Sequence, residues 1–330
     1  MSNSSTDFPP LVCPQDRKAL SDVDGAQLAC AAGHRFEVRA GIPRMVPPEN
    51  NYAEAFGLQW QQYRITQLDS YTKTNLTRDR LRRCTGEALW ARLMDPAENL
   101  QVLEAGCGAG RFTEVLLKLP GARVTSTDLS SAVDPNQDNF PQSDRHRIIQ
   151  CDIGQFPFPP GSFDVVVCLG VVQHTQNSER TIANLYSQVK PGGSLVIDHY
   201  PANLSHYTRF GDMVLRPILK RLSPQRGIAA TKILTRWLFP LHRAVRNIAP
   251  ARMLLSRVSP LLTYYHAFPE LDEKLQYEWA ELDTHDGLTD WFKHVRTPRQ
   301  IRRALESLGA TGISVALGGN GVEAHCVKPS

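Results

Sequence analysis

The most constraining feature of this chain is an apolar stretch that runs directly into a glycine-rich turn, VLEAGCGAGRF at residues 102–112. Gly106, Gly108 and Gly110 form the pattern G-x-G-x-G between a predicted strand and a predicted helix. A dinucleotide-binding fingerprint needs its third glycine one position later, where this chain has Arg111, and a phosphate-binding loop needs Lys followed by Ser or Thr. The segment therefore indicates either a different nucleotide-like cofactor or only a tight turn whose glycines provide positive φ angles.

Strand and helix signals alternate from residue 98 to residue 200. Short apolar runs predict five strands, and apolar residues at helical spacing predict helices between several of them. Such alternation is typical of an α/β fold in which crossovers join parallel strands. The predicted strands are Gln101–Glu104, Arg123–Asp128, Arg147–Cys151, Asp164–Leu169 and Ser194–Asp198.

The end of the chain predicts one more helix and a hairpin. Thr297 and Gln300 fit a capping box, Pro298 stands at the first helical position, and Gly309 follows the predicted helix. Two apolar runs, ISVAL and VEAHCVK, flank the sequence GGNG and predict a two-stranded hairpin.

Three acidic residues, Glu104, Asp128 and Asp152, stand at the ends of successive predicted strands. A carboxylate at Glu104 suits an ammonium group and repels pyrophosphate. Asp128 can accept hydrogen bonds from both hydroxyls of a ribose, and Asp152 can accept one from the exocyclic amine of adenine. Together they indicate a nucleoside joined to an amino acid and argue against a dinucleotide.

The chain resembles the class I S-adenosylmethionine-dependent methyltransferases in the segments VLEAGCGAG, TSTDLS, QCDIGQFPFPPGSFDVVVCLGVVQHT and VKPGGSLVID. These cover residues 98–200 almost continuously, and residues 297–328 supply the closing helix and hairpin. The resemblance implies a Rossmann-like, seven-stranded sheet with S-adenosylmethionine at the carboxyl ends of its parallel strands. It also implies that the cofactor is bordered by Glu104, Gly106, Cys107, Gly108, Gly110, Asp128, Leu129, Asp152, Ile153, Leu169, Gly170 and His174.

Methyl transfer from a sulfonium needs mainly alignment, and it needs a base only when the acceptor holds its proton tightly. His174, His199 and Tyr200 follow predicted strands and are the candidate catalytic residues. Enzymes of this class that methylate amide or adenine nitrogen often carry Asn-Pro-Pro-Tyr after the fourth strand, whereas this chain has LGVV at residues 169–172. Oxygen, carbon and other nitrogens remain open as acceptors.

Residues 11–48 resemble a small zinc-ribbon-like module that accompanies some methyltransferases and their activator subunits. Zinc ribbons use Cys-x-x-Cys pairs, and the corresponding positions here are Cys13 with Asp16 and Cys30 with His34. Since Asp can bind zinc, the resemblance implies one structural zinc on these four residues. The alternative is a metal-free module held together by its apolar side chains.

Residues 201–296 exceed what this fold requires. From residue 209 to residue 258 the chain has eleven Lys or Arg and one acid, interleaved with Leu, Ile, Val and Trp. This pattern fits a helical cap with solvated arginines, a cap over an acidic or phosphorylated substrate, a membrane-surface helix or an RNA contact. We expect a substrate cap whose helices bury one face on the core, because an RNA surface would need a broad positive field and the chain's net charge is only +4.

The remaining sequence favours a cytoplasmic protein. The first residues lack a basic start followed by an apolar run, no stretch predicts a transmembrane segment, and the seven cysteines do not form a disulfide framework. The predicted division is a disordered tail at 1–10, the zinc-ribbon-like module at 11–48, a helical extension at 50–97, a methyltransferase core at 98–200 and 297–330, and a basic helical insertion at 201–296.

These observations predict methyl transfer to a small or medium-sized metabolite, such as a sugar, a lipid-linked compound or a natural-product intermediate. Two alternatives remain open. The first is an RNA methyltransferase, and the second is a non-catalytic, methyltransferase-like protein that acts as a binding partner. The sequence does not identify the methyl acceptor.

Overall fold

The computed structural model describes residues 8–46, 53–202, 209–319 and 321–330. The predicted tail, module, extension and insertion each fall partly outside these ranges. The strands are β1 (Leu20–Asp22), β2 (Gln27–Cys30), β3 (Arg35–Arg39), β4 (Ile42–Met45), β5 (Leu100–Ala105), β6 (Ala122–Asp128), β7 (His146–Cys151), β8 (Phe163–Cys168), β9 (Val189–His199), β10 (Thr311–Gly318) and β11 (Gly321–Val327).

Helices precede, connect and follow these strands. They are α1 (Glu54–Gln62), α2 (Asp69–Thr72), α3 (Leu76–Met94), α4 (Arg111–Leu117), α5 (Val133–Asn139), α6 (Ser178–Gln188), α7 (Phe210–Leu219), α8 (Pro224–Val245), α9 (Ala249–Val258), α10 (Glu273–Thr289) and α11 (Pro298–Ser307). Within the described ranges, none of the helices combines the length and the apolar character that crossing a membrane would require.

The central strand β5 is apolar because both of its faces are buried. Leu103 and Ala105 belong to one apolar cluster, and Leu100 and Val102 belong to another. Since successive side chains of a strand point to opposite faces of the sheet, the two clusters lie on the two sides of β5. The strand pairs in parallel with β6 on one edge and with β8 on the other.

The sheet has eleven strands in the order β1-β2-β3-β4-β7-β6-β5-β8-β9-β11-β10, so the prediction of seven strands was wrong. The Rossmann-like part consists of seven strands in the order β7-β6-β5-β8-β9-β11-β10. Within it, β11 runs antiparallel to β9 and β10. The other four strands come from the N-terminal segment, and β4 pairs in parallel with β7.

Strand β4 covers a backbone edge of β7 that would otherwise lack a partner. Its four residues are all buried. Arg44 contributes a cation to this edge, where it pairs with Asp134 at 2.5 Å and donates to Gln150 at 3.2 Å. The apolar contacts and this ion pair explain why the sheet continues past β7 into the N-terminal segment.

The five strands predicted between residues 98 and 200 are all present, and the largest difference lies in the fifth. It begins at Val189, five residues before the predicted start at Ser194. Helix α6 ends at Gln188, and the sequence Pro-Gly-Gly at 191–193 lies inside β9. Gly192 donates to the carbonyl of Lys328 at 2.8 Å, so the chain end supplies the partner for this part of the strand.

The closing helix and hairpin match their prediction. Thr297 and Gln300 form the capping box at the start of α11. Strands β10 and β11 pair antiparallel, and Asn320 of the predicted turn lies outside the described residues.

The basic insertion differs from the cap that the sequence predicts. Helix α8 buries one face, but α7 buries only Gly211 and Leu219, and α9 buries no residue. The expectation that each of these helices buries one face on the core was therefore wrong for α9 and largely wrong for α7.

Candidate functional site

A cavity of about 680 Å³ opens at the carboxyl ends of β5, β6, β7 and β8. Ligands of α/β sheets bind at this edge, where the loops that follow the strands converge. Most residues predicted to border a cofactor line this cavity: Gly106, Cys107, Gly108, Asp128, Leu129, Asp152, Ile153, Leu169, Gly170 and His174.

The glycine loop after β5 is shaped by neighbours that leave no room for side chains. Gly106 has a φ of +80°, and a Cβ there would lie 2.3 Å from Cγ2 of Val171. Gly108 has a φ of +52°, and the ring of Trp60 lies 3.0 Å from the position of its Cβ. Glycine is therefore required at Gly106 both for the backbone angle and for the close approach of the loop after β8.

Two residues predicted to border the cofactor do not line the cavity. Glu104 is buried beneath the glycine loop, where Thr113 and Ser126 donate hydroxyl hydrogen bonds to Oε2 at 2.6 and 2.8 Å. Burial raises the pKa of Glu104 to about 7. Gly110, at the start of α4, faces the ring of Phe140. Glu104 thus supports the loop from below, because its side chain points into the protein and away from the cavity.

Asp128 and Asp152 both reach the cavity from strand ends. Asp128 accepts hydrogen bonds from the backbone N–H of Gly108 at 2.9 Å and from the N–H and hydroxyl of Ser130 at 2.9 and 2.7 Å. Burial raises the pKa of Asp128 even though these donors favour its charged form. Asp152 accepts from the N–H of Gly154 at 2.7 Å. The two carboxylates are thus held in position before any ligand binds.

His174 lies in the cavity wall between two carboxylates. Its Nδ1 is 3.1 Å from Oδ2 of Asp290, and its Nε2 is 3.7 Å from Oδ2 of Asp286. Burial alone would lower the pKa of His174, but the charges of Asp286 and Asp290 outweigh that effect and raise it. Arg216 donates to the other oxygen of Asp290 at 2.8 Å. This arrangement holds the imidazole ring in one orientation.

The other two candidate catalytic residues are placed differently. Tyr200 lines the cavity, and its hydroxyl donates to Asp286 at 3.4 Å. His199 is buried outside the cavity wall, with Nε2 at 3.0 Å from the hydroxyl of Ser178 and Nδ1 at 3.0 Å from the carbonyl of Tyr200. Burial lowers the pKa of His199 to about 4. The predicted catalytic role of His199 does not fit this placement, because its nitrogens face Ser178 and the Tyr200 carbonyl and His199 does not line the cavity.

The sequence did not point to the basic residues of the cavity. Arg80 of α3 lines it and pairs with Asp198 at the end of β9. The other oxygen of Asp198 accepts from the N–H of Gly170 at 2.6 Å. Arg80 stands in a polar helix with several other arginines, so only the folded chain distinguishes it from them.

A second basic residue, Arg111, is linked to the insertion through a chain of hydrogen bonds. It donates to Gln67 at 2.9 Å, and Gln67 donates to Asp283 of α10 at 3.1 Å. Tyr264 donates its hydroxyl to the same aspartate. Burial lowers the pKa of Arg111 to about 10 and raises that of Asp283 to about 6. Arg80 and Arg111 thus border the cavity together with the glycine loop, and Asp283 and Asp286 border it from α10.

The four residues predicted to hold a metal lie together, and none of them lines this cavity. The ligand atoms of Cys13, Asp16, Cys30 and His34 all lie within 4.8 Å of one another. His34 Nδ1 is 3.4 Å from each sulfur and 3.5 Å from Oδ2 of Asp16, which is itself 3.3 Å from the sulfur of Cys30. The sequence spacing therefore identified a genuine cluster of side chains.

The central part of the chain is similar to a known protein family. Residues 103–197 match the family model described as "Methyltransferase domain". The matched part contains the end of β5, the glycine loop and most of the residues that line the cavity.

The curated relatives share this central part. An uncharacterized protein of Synechococcus sp. is 35% identical over 122 residues, which are 36% of this chain and 28% of that protein. The ubiquinone biosynthesis O-methyltransferase of Coxiella burnetii is 33% identical over 108 residues, 32% of this chain and 46% of that enzyme. The malonyl-[acyl-carrier protein] O-methyltransferase of a Paenibacillus species is 34% identical over 109 residues, 31% and 40% of the two chains. The matched region spans less than half the length of each relative.

Solved structures also resemble the chain. Human N-acetylserotonin methyltransferase in complex with S-adenosylmethionine is 13% identical, with a TM-score of 0.42, over 86% of this chain and 61% of that chain. An O-methyltransferase family protein of Burkholderia thailandensis is 12% identical, with a TM-score of 0.42, over 79% and 59%.

Gly106 of the glycine loop and Gly170 of the loop after β8 offer a matched pair of substitutions. Gly106 and Gly170 have nearly the same φ, +80° and +81°, but a Cβ on Gly170 would meet nothing within 4 Å. Both Gly→Ala variants carry the cost of the left-handed backbone, about 1–2 kcal/mol. Only Gly106→Ala adds a clash with Val171, so we expect it to lower the free energy of unfolding by about 1–3 kcal/mol more than Gly170→Ala does. Chemical denaturation measures the difference, and equal losses would show that the loop after β8 moves away freely.

Proposed function

We propose that this chain transfers a methyl group from S-adenosylmethionine to a hydroxyl group of a small or medium-sized metabolite. The observation that carries the proposal is the pair of carboxylates, Asp128 and Asp152, at the cavity of a methyltransferase domain, beside a glycine loop. The named O-methyltransferases among the relatives support oxygen as the acceptor atom.

The cavity residues fit this cofactor. Asp128 would accept from the ribose hydroxyls, and Asp152 would accept from the adenine amine, with Leu129 and Ile153 as apolar neighbours of the base. The backbone of Gly106–Gly108 lines the part of the cavity where the methionine portion would lie. Arg80 and Arg111 border the same end of the cavity, where either cation would stabilise the carboxylate group of the methionine portion.

The cofactor supplies a methyl group on a positively charged sulfur, which is already a good leaving group. The protein then has two tasks, which are to align the acceptor and to accept its proton. His174 suits the second task, since Nδ1 donating to Asp290 would leave a lone pair on Nε2 that can take a proton from a hydroxyl. Asp286 and Tyr200 border the same space and would orient the acceptor by hydrogen bonds.

We also propose that Cys13, Asp16, Cys30 and His34 hold one structural zinc. A tetrahedral zinc with bonds of about 2.0–2.3 Å separates its ligand atoms by roughly 3.3–3.8 Å. Four of the six distances among these ligand atoms, 3.3 to 3.5 Å, agree with that geometry, and all six lie within 4.8 Å.

The proposed zinc would support the cavity indirectly. Arg17, which lies between the ligands in sequence, donates to the carbonyls of Phe156 and Phe158, and the N–H of Val12 donates to the carbonyl of Pro157 at 2.9 Å. These bonds anchor the segment that follows Ile153. We therefore propose that residues 11–48 act as a structural module that supports the adenine side of the cavity.

The cofactor proposal predicts the effect of removing one carboxylate. Asp128→Ala should weaken S-adenosylhomocysteine binding by about 2–4 kcal/mol, because two charge-assisted hydrogen bonds are lost. Isothermal titration calorimetry measures this change. Asp138→Ala is the matched control, since Asp138 is exposed and pairs with Arg64 on the surface. Absence of S-adenosylhomocysteine binding by the wild-type chain would reject the proposal.

The base proposal predicts a pH effect. Because the pKa of His174 is raised above its ordinary value of 6.5, its neutral form, which can accept a proton, is present only at higher pH. Asp290→Asn removes one source of the rise, so the pKa of His174 should fall in a histidine NMR titration. With a hydroxyl acceptor found by screening with methyl-labelled S-adenosylmethionine, the rising limb of the pH–rate profile should move to lower pH in the same variant.

A catalytic base also predicts a specific loss of rate. His174→Gln should lower kcat by about 10²–10⁴-fold while leaving S-adenosylhomocysteine affinity largely unchanged. His242→Gln is the matched control, since His242 is equally buried but bonds Ser259 away from the cavity. A His174 variant with unchanged kcat would assign His174 a structural role only.

The zinc proposal predicts a metal content. Elemental analysis should find about one zinc per chain, and Cys30→Ser should remove it and lower the melting temperature. Cys84→Ser, a buried cysteine outside the cluster, should keep the zinc. Wild-type protein that is purified without zinc and is not stabilised by adding it would identify a metal-free module.

A further inference from the structure

The helices α7, α8 and α9, together with the loops between them, expose an unusual concentration of apolar side chains. Among the described residues, seventeen large apolar side chains are exposed, and twelve of them lie between residues 210 and 258. They are Phe210, Met213, Val214, Ile218, Leu222, Ile233, Trp237, Leu241, Ile248, Met253, Leu254 and Val258. We call this set the apolar face.

On α7 these residues fall on one side of the helix. Phe210, Met213, Val214 and Ile218 follow the spacing i, i+3, i+4 and i+8, which places them in one stripe. The buried residue Gly211 lies elsewhere on the helix, where a Cβ would be 2.5 Å from the nitrogen of Pro260. The helix therefore packs through a close glycine contact and leaves its most apolar stripe in solvent.

On α8 the exposed stripe is equally regular. Ile233, Trp237 and Leu241 are spaced four residues apart, and the side chain of Trp237 is 75% exposed. The opposite side of α8 supplies the contacts with the rest of the protein, through residues such as Thr235 and Phe239. Helix α9 adds Met253, Leu254 and Val258 and buries no residue at all.

The helices that bear the apolar face are also strongly basic. Residues 209–258 contain eleven Lys or Arg and one acid, whereas the other 280 residues contain 26 Lys or Arg and 32 Asp or Glu. Arg209, Arg216 and Arg243 pair with Asp212, Asp290 and Glu273, but the segment still holds a large excess of cations, and the rest of the chain is net negative. Charge complementarity calls for an anionic surface that also accepts apolar side chains.

We propose that the apolar face docks on the surface of a membrane that contains anionic lipids. Amphipathic helices of this kind lie in the plane of the interface, with Trp, Phe and Leu among the acyl chains and Lys or Arg at the headgroups. A tryptophan as exposed as Trp237 is typical of such an interface.

Other partners match these observations less well. RNA would neutralise the cations but leave the exposed Leu, Ile, Met and Val side chains in water. A two-fold dimer through this face would bring two strongly positive surfaces together. Anionic lipid satisfies the charge and the apolar residues at once.

The position of the apolar face beside the cavity indicates which kind of methyl acceptor the chain would take. Arg209 and Asp212, at the start of α7, line the cavity, and Phe210 and Met213 of the same turn belong to the apolar face. A docked chain would therefore place one wall of its cavity beside the lipid surface. This part rests on the proposed methyl transfer and indicates an amphiphilic acceptor whose polar end enters the cavity.

Co-sedimentation with lipid vesicles tests the proposal without requiring any methyl acceptor. The wild-type chain should bind vesicles of equal parts phosphatidylcholine and phosphatidylglycerol and should not bind phosphatidylcholine alone. Binding should weaken as salt is raised. The emission of Trp237 should shift to shorter wavelength on anionic vesicles, and Trp237→Phe should lack that shift.

Two pairs of variants separate the apolar and charged contributions. The double variant Ile233→Ser with Trp237→Ser should weaken vesicle binding about tenfold or more. Its control is Met94→Ser with Leu317→Ser, which changes two exposed apolar residues outside the apolar face and should leave binding unchanged. The double variant Arg226→Glu with Arg236→Glu should also weaken vesicle binding about tenfold or more. Its control is Arg299→Glu with Arg303→Glu on α11, which should leave binding unchanged. All four variants should keep the wild-type affinity for S-adenosylhomocysteine, so a failure of docking is distinguished from a failure of the proposed cofactor site.

Several results would overturn the docking proposal. The first is absence of binding to anionic vesicles at low salt, and the second is equal losses in the control variants. A stable dimer that Ile233→Ser with Trp237→Ser converts to monomer would assign the face to a second copy of the chain. Salt-resistant RNA binding that the Arg226 and Arg236 variant abolishes would assign it to RNA.

Discussion

The buried pair between Asp198 and Arg80 holds two parts of the cavity wall together. Asp198 ends β9, and its carboxylate both pairs with α3 and accepts the N–H of Gly170 after β8. Both side chains are almost fully buried, and removing one partner of such a pair costs about 3–5 kcal/mol because the other charge is left alone. The N-terminal extension is therefore bound tightly to the edge of the sheet where the proposed cofactor site lies.

The same kind of contact connects the insertion to the core. Asp283 of α10 accepts from Gln67, which in turn accepts from Arg111. Asp290 follows α10 and holds His174 through one oxygen and Arg216 through the other. Each contact joins distant parts of the chain, so the cavity forms only where extension, core and insertion meet. The insertion thus has one polar face that completes the cavity, while the apolar face of α7–α9 remains available to a partner.

Local patterns were sufficient to locate much of the fold and part of the site. The strands around β5, the capping box of α11 and the final hairpin could be predicted because periodicity and cap residues act over a few positions. Asp128 and Asp152 lie at the cavity because the end of a parallel strand fixes their edge of the sheet. Glu104 stands near the same kind of position, yet it lies beneath the loop, because it pairs in register with Ser126, two residues before Asp128, and so sits deeper in the sheet than Asp128 does.

By itself, the sequence determined the succession of strands and helices in the α/β core, the glycine loop, the strand-end carboxylates and the four side chains of the proposed zinc cluster. Each of these depends on residues close in sequence or on a short spacing. Only the tertiary structure decided that the sheet continues through β4 to eleven strands and that His199 is enclosed. It also decided that Asp290 holds His174 and that α7–α9 expose apolar residues. These features depend on contacts between segments tens to hundreds of residues apart, and helical spacing cannot tell a face that packs on the core from one that meets an external partner.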